Sequence, residues 1–172
     1  ETIALEVLKD EALAAEAASL KKEIHDAIES MAIVDNYYYG RVYAYEVDGY
    51  GQYMLMDDAN VPSLLAMDYL GYEADDRQVV ENTRNFVLSC ANPYYYEGSC
   101  AKGVGSQHTK PGYIWHIALA IQGLTSKTKE EKLAILNTMK NTDAGKHMMH
   151  EGFDVNDPAN YTREWFSWAN AM

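Results

Sequence analysis

Three short stretches of the chain hold nearly all the residues able to do chemistry. The first, Met56-Asp57-Asp58-Ala59-Asn60-Val61-Pro62, sets two adjacent carboxylates and a carboxamide before an apolar run. That set suits hydrogen bonding to the vicinal hydroxyls of a sugar. The competing reading is that Asp57 and Asp58 feed a helix N-terminus, where negative charge is favourable. The second runs from Asn92-Pro93-Tyr94-Tyr95-Tyr96 through Gly103-Val104-Gly105-Ser106-Gln107-His108 to Trp115. Its two glycines let backbone approach a ligand. His108 offers a donor, and Trp115 offers either a stacking face or a core side chain on an apolar helix. Gly-x-Gly here opens no strand–helix phosphate site, which sets a dinucleotide aside.

The third stretch is Thr142-Asp143-Ala144-Gly145-Lys146-His147-Met148-Met149-His150-Glu151-Gly152-Phe153. The order His-x-x-His-Glu matches neither His-Glu-x-x-His nor His-x-x-Glu-His, and a loop would not fix helical ligand geometry, so no metal site is expected on His147 and His150. Glu151 instead suits acid/base work in a cleft, with His150 and Arg163 orienting or charge-balancing it. A solvated glutamate with no role is the alternative. Trp165 and Trp168 stand three apart on one expected helix face, where both belong to a core or one floors a sugar subsite. No nucleophile constellation emerges: there is no Gly-x-Ser-x-Gly, and Cys90 and Cys100 have no histidine close in sequence to activate them.

Charge narrows the partners. Fourteen Lys and Arg against 26 Asp and Glu give a net charge of −12 over 172 residues, enough chain for one domain. Such a surface repels phosphate backbones and anionic headgroups, so neither nucleic acid nor a membrane surface is expected as a partner. No apolar run approaches the roughly 20 residues of a membrane span, and no basic-then-apolar leader opens the chain. Two cysteines provide no disulfide framework and fit the cytoplasm or a bacterial periplasm equally. Fourteen tyrosines, each with an apolar face and a polar tip, suit a wet cleft better than a dry core.

The elements that must position these residues read as mostly helical. Ile3, Val7, Leu20, Ile24, Ile28 and Met31 recur at helical spacing. Alternation over Arg41 to Val47, the Asp48-Gly49 turn and alternation over Gln52 to Met56 predict a small β-hairpin. Helices are predicted from Asn60 to Gly71, from Asp75 to Cys90, over the apolar stretch Tyr113 to Leu124, from the Thr128 capping box to Met139, and from Trp165 to Met172. Long loops fill 92–112 and 141–162. Short links between helices alternate with these long loops, which is the signature of an α/α toroid with a cleft at one rim. About half of a twelve-helix ring is visible. Both ends fall inside helical patterns, so the chain is expected to be a piece of something longer.

Taken together, the blocks resemble glycoside hydrolase family 125, the metal-independent exo-acting α-1,6-mannosidases. The matching residues are Met56 to Ser63, Asn92 to Tyr95 with Gly103 to Ser106 and His108, Ala118 to Ser126, Thr142 to Gly145, His150 to Phe153, and Tyr161 to Asn170. The resemblance implies an (α/α)6 barrel, with residues 1–172 as the C-terminal part of this single catalytic domain and its N-terminal part outside the chain, and inverting, single-displacement removal of terminal non-reducing α-linked mannose. It implies Glu151 as the general base and no metal or organic cofactor. Asp57, Asp58, Asn60, His108, Trp115 and Arg163 are the residues expected to contact substrate. The family's general acid, an aspartate, belongs to a block upstream of the Asp-Asp-Ala-Asn motif that has no counterpart here. Partners then follow: an α-mannoside oligosaccharide, and either the missing N-terminal half or a second copy of the chain. The rival is a non-catalytic carbohydrate-binding or interaction protein lacking the acid. Gln107 and His116 depart from the family pattern, standing where proline is expected, and Lys146-His147 replaces small residues, with Lys146 altering the charge near Glu151.

Overall fold

The computed structural model describes residues 1–172. A π-helical segment at Ile3–Leu8 leads into α1 (Glu11–Met31), whose N-terminus is capped by Asp10 accepting the Leu13 N–H at 2.9 Å. Two further helices begin on the same device. Asp76 caps α2 (Arg77–Val87) by accepting from Gln78 N–H, and Thr128 caps α4 (Lys129–Asn141) by accepting from Glu131 N–H, with Glu130 and Glu131 in its first turn. Between them lies α3 (His116–Thr125), and α5 (Ser167–Ala171) closes the chain. No helix is long and apolar enough to cross a membrane.

Small sheets join these helices. Strands β1 (Ile33–Asn36) and β2 (Gly40–Tyr43) form one hairpin, β3 (Glu46–Val47) and β4 (Tyr53–Met54) a second, and β5 (Tyr95–Glu97) and β6 (Lys102–Val104) a third. The three-stranded sheet β7 (Tyr113–Trp115), β8 (Gly152–Asp154) and β9 (Tyr161–Thr162) is antiparallel with β8 central. Its register pairs Trp115 with Gly152, and Gly152 in turn with Thr162.

Several expectations are corrected. The predicted hairpin exists only beside its Asp48 turn, where Glu46–Val47 pairs with Tyr53–Met54, and Arg41 to Tyr43 instead pairs backward with Ile33 to Asp35. The helix expected from Asn60 to Gly71 is a run of tight turns, because the Asp57 carboxylate takes the N–H groups of Leu64 and Leu65. Tyr113 to Trp115 is strand, and the helix begins only at His116. The two long loops carry β5–β6 and β8–β9, and Trp165 precedes α5 instead of lying on it. Mostly helical with small sheets is therefore the accurate description, in place of all-α with one hairpin.

Three apolar clusters hold the elements together. The largest joins Val42, Phe86 and Val87 to Trp115, Ile121 and Phe166, so the site-bearing segments share one core with α2 and α3. Ile114, Leu119, Ile135, Phe153 and Val155 form a second under α4, and Ala32, Tyr43, Met67, Val79 and Val80 a third under α1. Each fully buried large side chain contributes about 1.5–3 kcal/mol, so Trp115 and Phe153 anchor β7 and β8 firmly to the helices behind them.

Candidate functional site

Backbone bonds draw the three stretches into one place. Ala59 N–H donates to the Gly105 carbonyl at 3.0 Å, Gly105 bridges to Ile114, and β7 then pairs Trp115 with Gly152. The approach is closest at Gly105, where a Cβ would lie 2.0 Å from the Tyr113 carbonyl oxygen; only glycine fits there. On the far side, Phe166 N–H donates to the Met149 carbonyl at 3.1 Å and ties the aromatic run before α5 to the third stretch.

A cavity of about 630 Å³ opens where they meet. That volume lies within the ordinary range for small-molecule clefts. Asn60, His108, Trp115, Glu151 and Arg163, all expected at the site, line it together with Trp165 and Trp168. Phe166 and Ser167 line it too and were not foreseen. The signal for them is the aromatic density of Trp165-Phe166-Ser167-Trp168, beyond the two tryptophans that suggest a core or a sugar subsite.

Glu151 sits just before β8. Its N–H points at both the Thr162 and Arg163 carbonyls, at 3.2 and 3.4 Å, which fixes the residue against the end of β9. Arg163 then adopts a left-handed backbone, φ +45°, and its Nη1 lies 3.3 Å from Glu151 Oε1. The carboxylate side chain is only 10% exposed whereas the arginine is 67% exposed. The pair is thus a nearly buried anion with its counter-charge reaching in from solvent, and the guanidinium also rests 5.8 Å from the Phe166 ring centre. No other carboxylate lines the cavity.

Asp57 and Asp58 serve backbone N–H groups and neighbouring side chains. Neither lines the cavity, and both are buried. Asp57 accepts from Leu64 N–H and Leu65 N–H, each at 2.9 Å, and burial pushes its carboxyl up to about 7 against the opposing effect of those donors. Asp58 accepts from the Asn60 side-chain amide at 2.8 Å and from Ser106 Oγ at 3.1 Å. Ser106 Oγ in turn accepts the His108 N–H at 3.2 Å. Asp58 therefore orients two cavity residues, Asn60 directly and His108 through Ser106. Trp115 is buried to 2% exposure, donating from Nε1 to Thr109 Oγ1 at 3.0 Å and meeting Phe166 edge-on at 5.7 Å, a core side chain that reaches the cavity wall.

The histidines of the third stretch do not converge. His147 has a side chain 91% exposed, beside Asp143. His150 is fully buried, stacked on Tyr161 at 3.9 Å with Nδ1 at the Glu164 carbonyl. No three His, Cys, Asp or Glu side chains gather into a ligand set. Lys146 pairs with Glu164 at 3.1 Å, so its charge is spent there and not on Glu151.

The family model of the metal-independent alpha-mannosidases (GH125) matches residues 1–172. Among similar proteins is the meiotically up-regulated gene 157 protein of Schizosaccharomyces pombe, 45% identical over 151 residues, which cover 87% of this chain and 30% of that one. A metal-independent alpha-mannosidase of Streptococcus pneumoniae, solved in a non-productive complex with alpha-1,6-mannobiose, superposes with a TM-score of 0.90 at 48% identity. That match covers 98% of this chain and 40% of the pneumococcal one, so the chain spans well under half the length of either relative. The chain belongs to the GH125 family of glycoside hydrolases.

Proposed function

We propose that this chain supplies the water-activating side of an inverting exo-α-1,6-mannosidase centre, with Glu151 as general base. The observation that carries the reading is the Glu151–Arg163 pair at the wall of an aromatic cavity. A carboxylate there is shielded from bulk water, paired with a guanidinium 3.3 Å away, and open to a ligand on one side. Trp165 and Trp168 offer flat faces to a sugar ring, and Asn60 and His108 offer polar groups to its hydroxyls. An inverting glycosidase uses one carboxylate to take a proton from water while a carboxylic acid protonates the leaving oxygen. The two carboxyl groups stand about 6.5–9.5 Å apart. Glu151 is alone in the cavity wall, so the acid comes from outside this chain, from an upstream segment that completes an (α/α)6 toroid of which residues 1–172 form the C-terminal part. A segment covering 40% of the pneumococcal mannosidase is in keeping with that division.

The test is hydrolysis of α-1,6-mannobiose by the complete polypeptide and by its Glu151→Gln variant. The variant should keep the fold and lose turnover, whereas near-normal turnover removes Glu151 from the mechanism. The 172-residue chain alone should release no mannose, and EDTA should leave the complete polypeptide unaffected. The solitary carboxylate also favours a second reading, a sugar-binding protein without catalysis. Calorimetric binding of mannobiose by a complete polypeptide that never hydrolyses it would select that reading.

A further inference from the structure

The peptide preceding the proposed base is held from a second direction. His150 N–H donates to His116 Nδ1 at 3.0 Å, across from the first residue of α3. At the other side of that ring, His116 Nε2 lies 3.0 Å from Thr142 Oγ1. The Thr142 hydroxyl itself donates to the Thr138 carbonyl at 2.9 Å, which leaves its oxygen to accept. One tautomer satisfies both ends: Nε2–H donates to Thr142, and bare Nδ1 accepts from His150. The other tautomer would turn Nδ1–H toward the His150 carbonyl, 3.3 Å away, and leave the buried His150 N–H without its acceptor at 3.0 Å. The tautomer is thus assigned from the hydrogen bonds around it. The ring is fully buried and lies 4.6 Å from the Phe153 ring at 33°, so it has no room to turn away.

We infer that His116 is a positioning residue for Glu151, clamping the Met149–His150 peptide, one residue before Glu151, to the C-terminal end of α4 through Thr142. This rests on the reading of Glu151 as the base. Two consecutive N–H groups are then fixed by different elements: that of His150 by α3, and that of Glu151 by the end of β9. The Glu151 carboxylate is left with side-chain freedom only, and Arg163 takes most of that. Burial pushes the His116 imidazole down to about 4, so Nδ1 keeps its lone pair at neutral pH. A base must stand within hydrogen-bond reach of the water it deprotonates, and a loosened peptide moves it out of reach.

The experiment compares His116→Leu with His116→Asn in the complete polypeptide, with kcat and KM for α-1,6-mannobiose measured alongside circular dichroism. Loss of the acceptor in His116→Leu should lower kcat by up to about 10²-fold while KM changes little. In His116→Asn the amide oxygen reaches the place of Nδ1 and should restore most of the lost turnover. A folded His116→Leu with unaltered kcat overturns the inference, and so does a folded His116→Asn as impaired as His116→Leu. Histidine 15N NMR on the unsubstituted protein should show His116 as the neutral Nε2–H form, and finding the proton on Nδ1 overturns the inference even where the leucine variant fails to fold. Glu151→Gln separates the two readings. Its inactivity beside a fully active His116→Leu refutes the clamp alone, whereas its full activity removes the base and the clamp together.

Discussion

Gly152 faces Trp115 across the β7–β8 register so closely that a Cβ on the glycine would lie 2.8 Å from the indole Cδ1 and 3.0 Å from Nε1. The indole has nowhere to retreat, being bound to Thr109 on one side and packed on Phe166 on another. This contact brings the residue before Gly152, which is Glu151, to the same wall of the cavity as Trp115. A missing side chain is thus part of how the carboxylate is placed.

Gly152→Ala should therefore damage both stability and turnover. Overpacking of a well-filled core costs about 1–3 kcal/mol, and the strain falls on the two strands that carry the cavity. Urea denaturation should show a lower midpoint, and α-1,6-mannobiose hydrolysis by the complete polypeptide should slow. A wild-type midpoint with wild-type turnover would mean that the indole yields freely.

Arg163 combines a left-handed backbone, φ +45°, with the charge opposite Glu151. Replacing it by alanine removes the guanidinium and keeps the backbone cost, and replacing it by glycine removes both. Arg163→Gly should then be more stable than Arg163→Ala by about 1 kcal/mol, while the two lose turnover to the same extent. Denaturation midpoints and kcat measured on the pair separate backbone from charge. Equal stability would show that the left-handed conformation costs nothing at this site.

Legibility from sequence followed local signals. The starts of α2 and α4 were readable within a residue or two because Asp76 and Thr128 cap them, and the gathering of Asn60, His108, Trp115, Glu151 and Arg163 was readable from their polar and aromatic character. Strands of two or three residues, such as β7 and β9, are too short to show a period, so Tyr113 to Trp115 merged with the apolar helix that follows. Arg41 to Tyr43 alternates equally well toward either neighbour, and its pairing with β1 depends on a Tyr37-Tyr38-Tyr39 turn whose one signal is Gly40, left-handed at φ +76°. Whether Asp57 and Asp58 serve backbone N–H groups or a sugar stays open in the sequence for a tertiary reason. Nothing in a sequence distinguishes a carboxylate aimed at a ligand from one satisfied by backbone N–H groups seven and eight residues ahead.

Asp57 should leave a mark on the pH dependence of stability. Its folded pKa, about 7, lies above the unfolded 3.8, so the folded state binds the proton more tightly. The contribution is fully present below the unfolded value and is lost as pH rises through about 7. Asp57→Asn cannot titrate, and its amide meets two N–H donors where it can accept from only one, costing about 1–3 kcal/mol. The stability difference between wild type and Asp57→Asn should narrow from pH 4 to pH 7 in thermal or urea unfolding. A difference that widens over that window contradicts the assigned direction.

Trp165 and Trp168 line the cavity with 61% and 54% of their surfaces still exposed, unlike Trp115 and Phe166 behind them. Core aromatics bury their faces; these two leave theirs open beside Asn60, His108 and Glu151. A pyranose ring laid on either face covers apolar surface that water otherwise wets, while its hydroxyls turn toward the polar wall. Intrinsic fluorescence of the complete polypeptide should therefore respond to mannobiose in the Glu151→Gln variant, where the sugar is bound without being cleaved. In that background Trp165→Ala and Trp168→Ala should each remove part of the response. The tryptophan that stacks on the sugar should lose about 0.5–1.5 kcal/mol of binding, and its partner should lose less. If both alanine variants bind mannobiose as tightly as their parent, the open indole faces serve something other than the sugar.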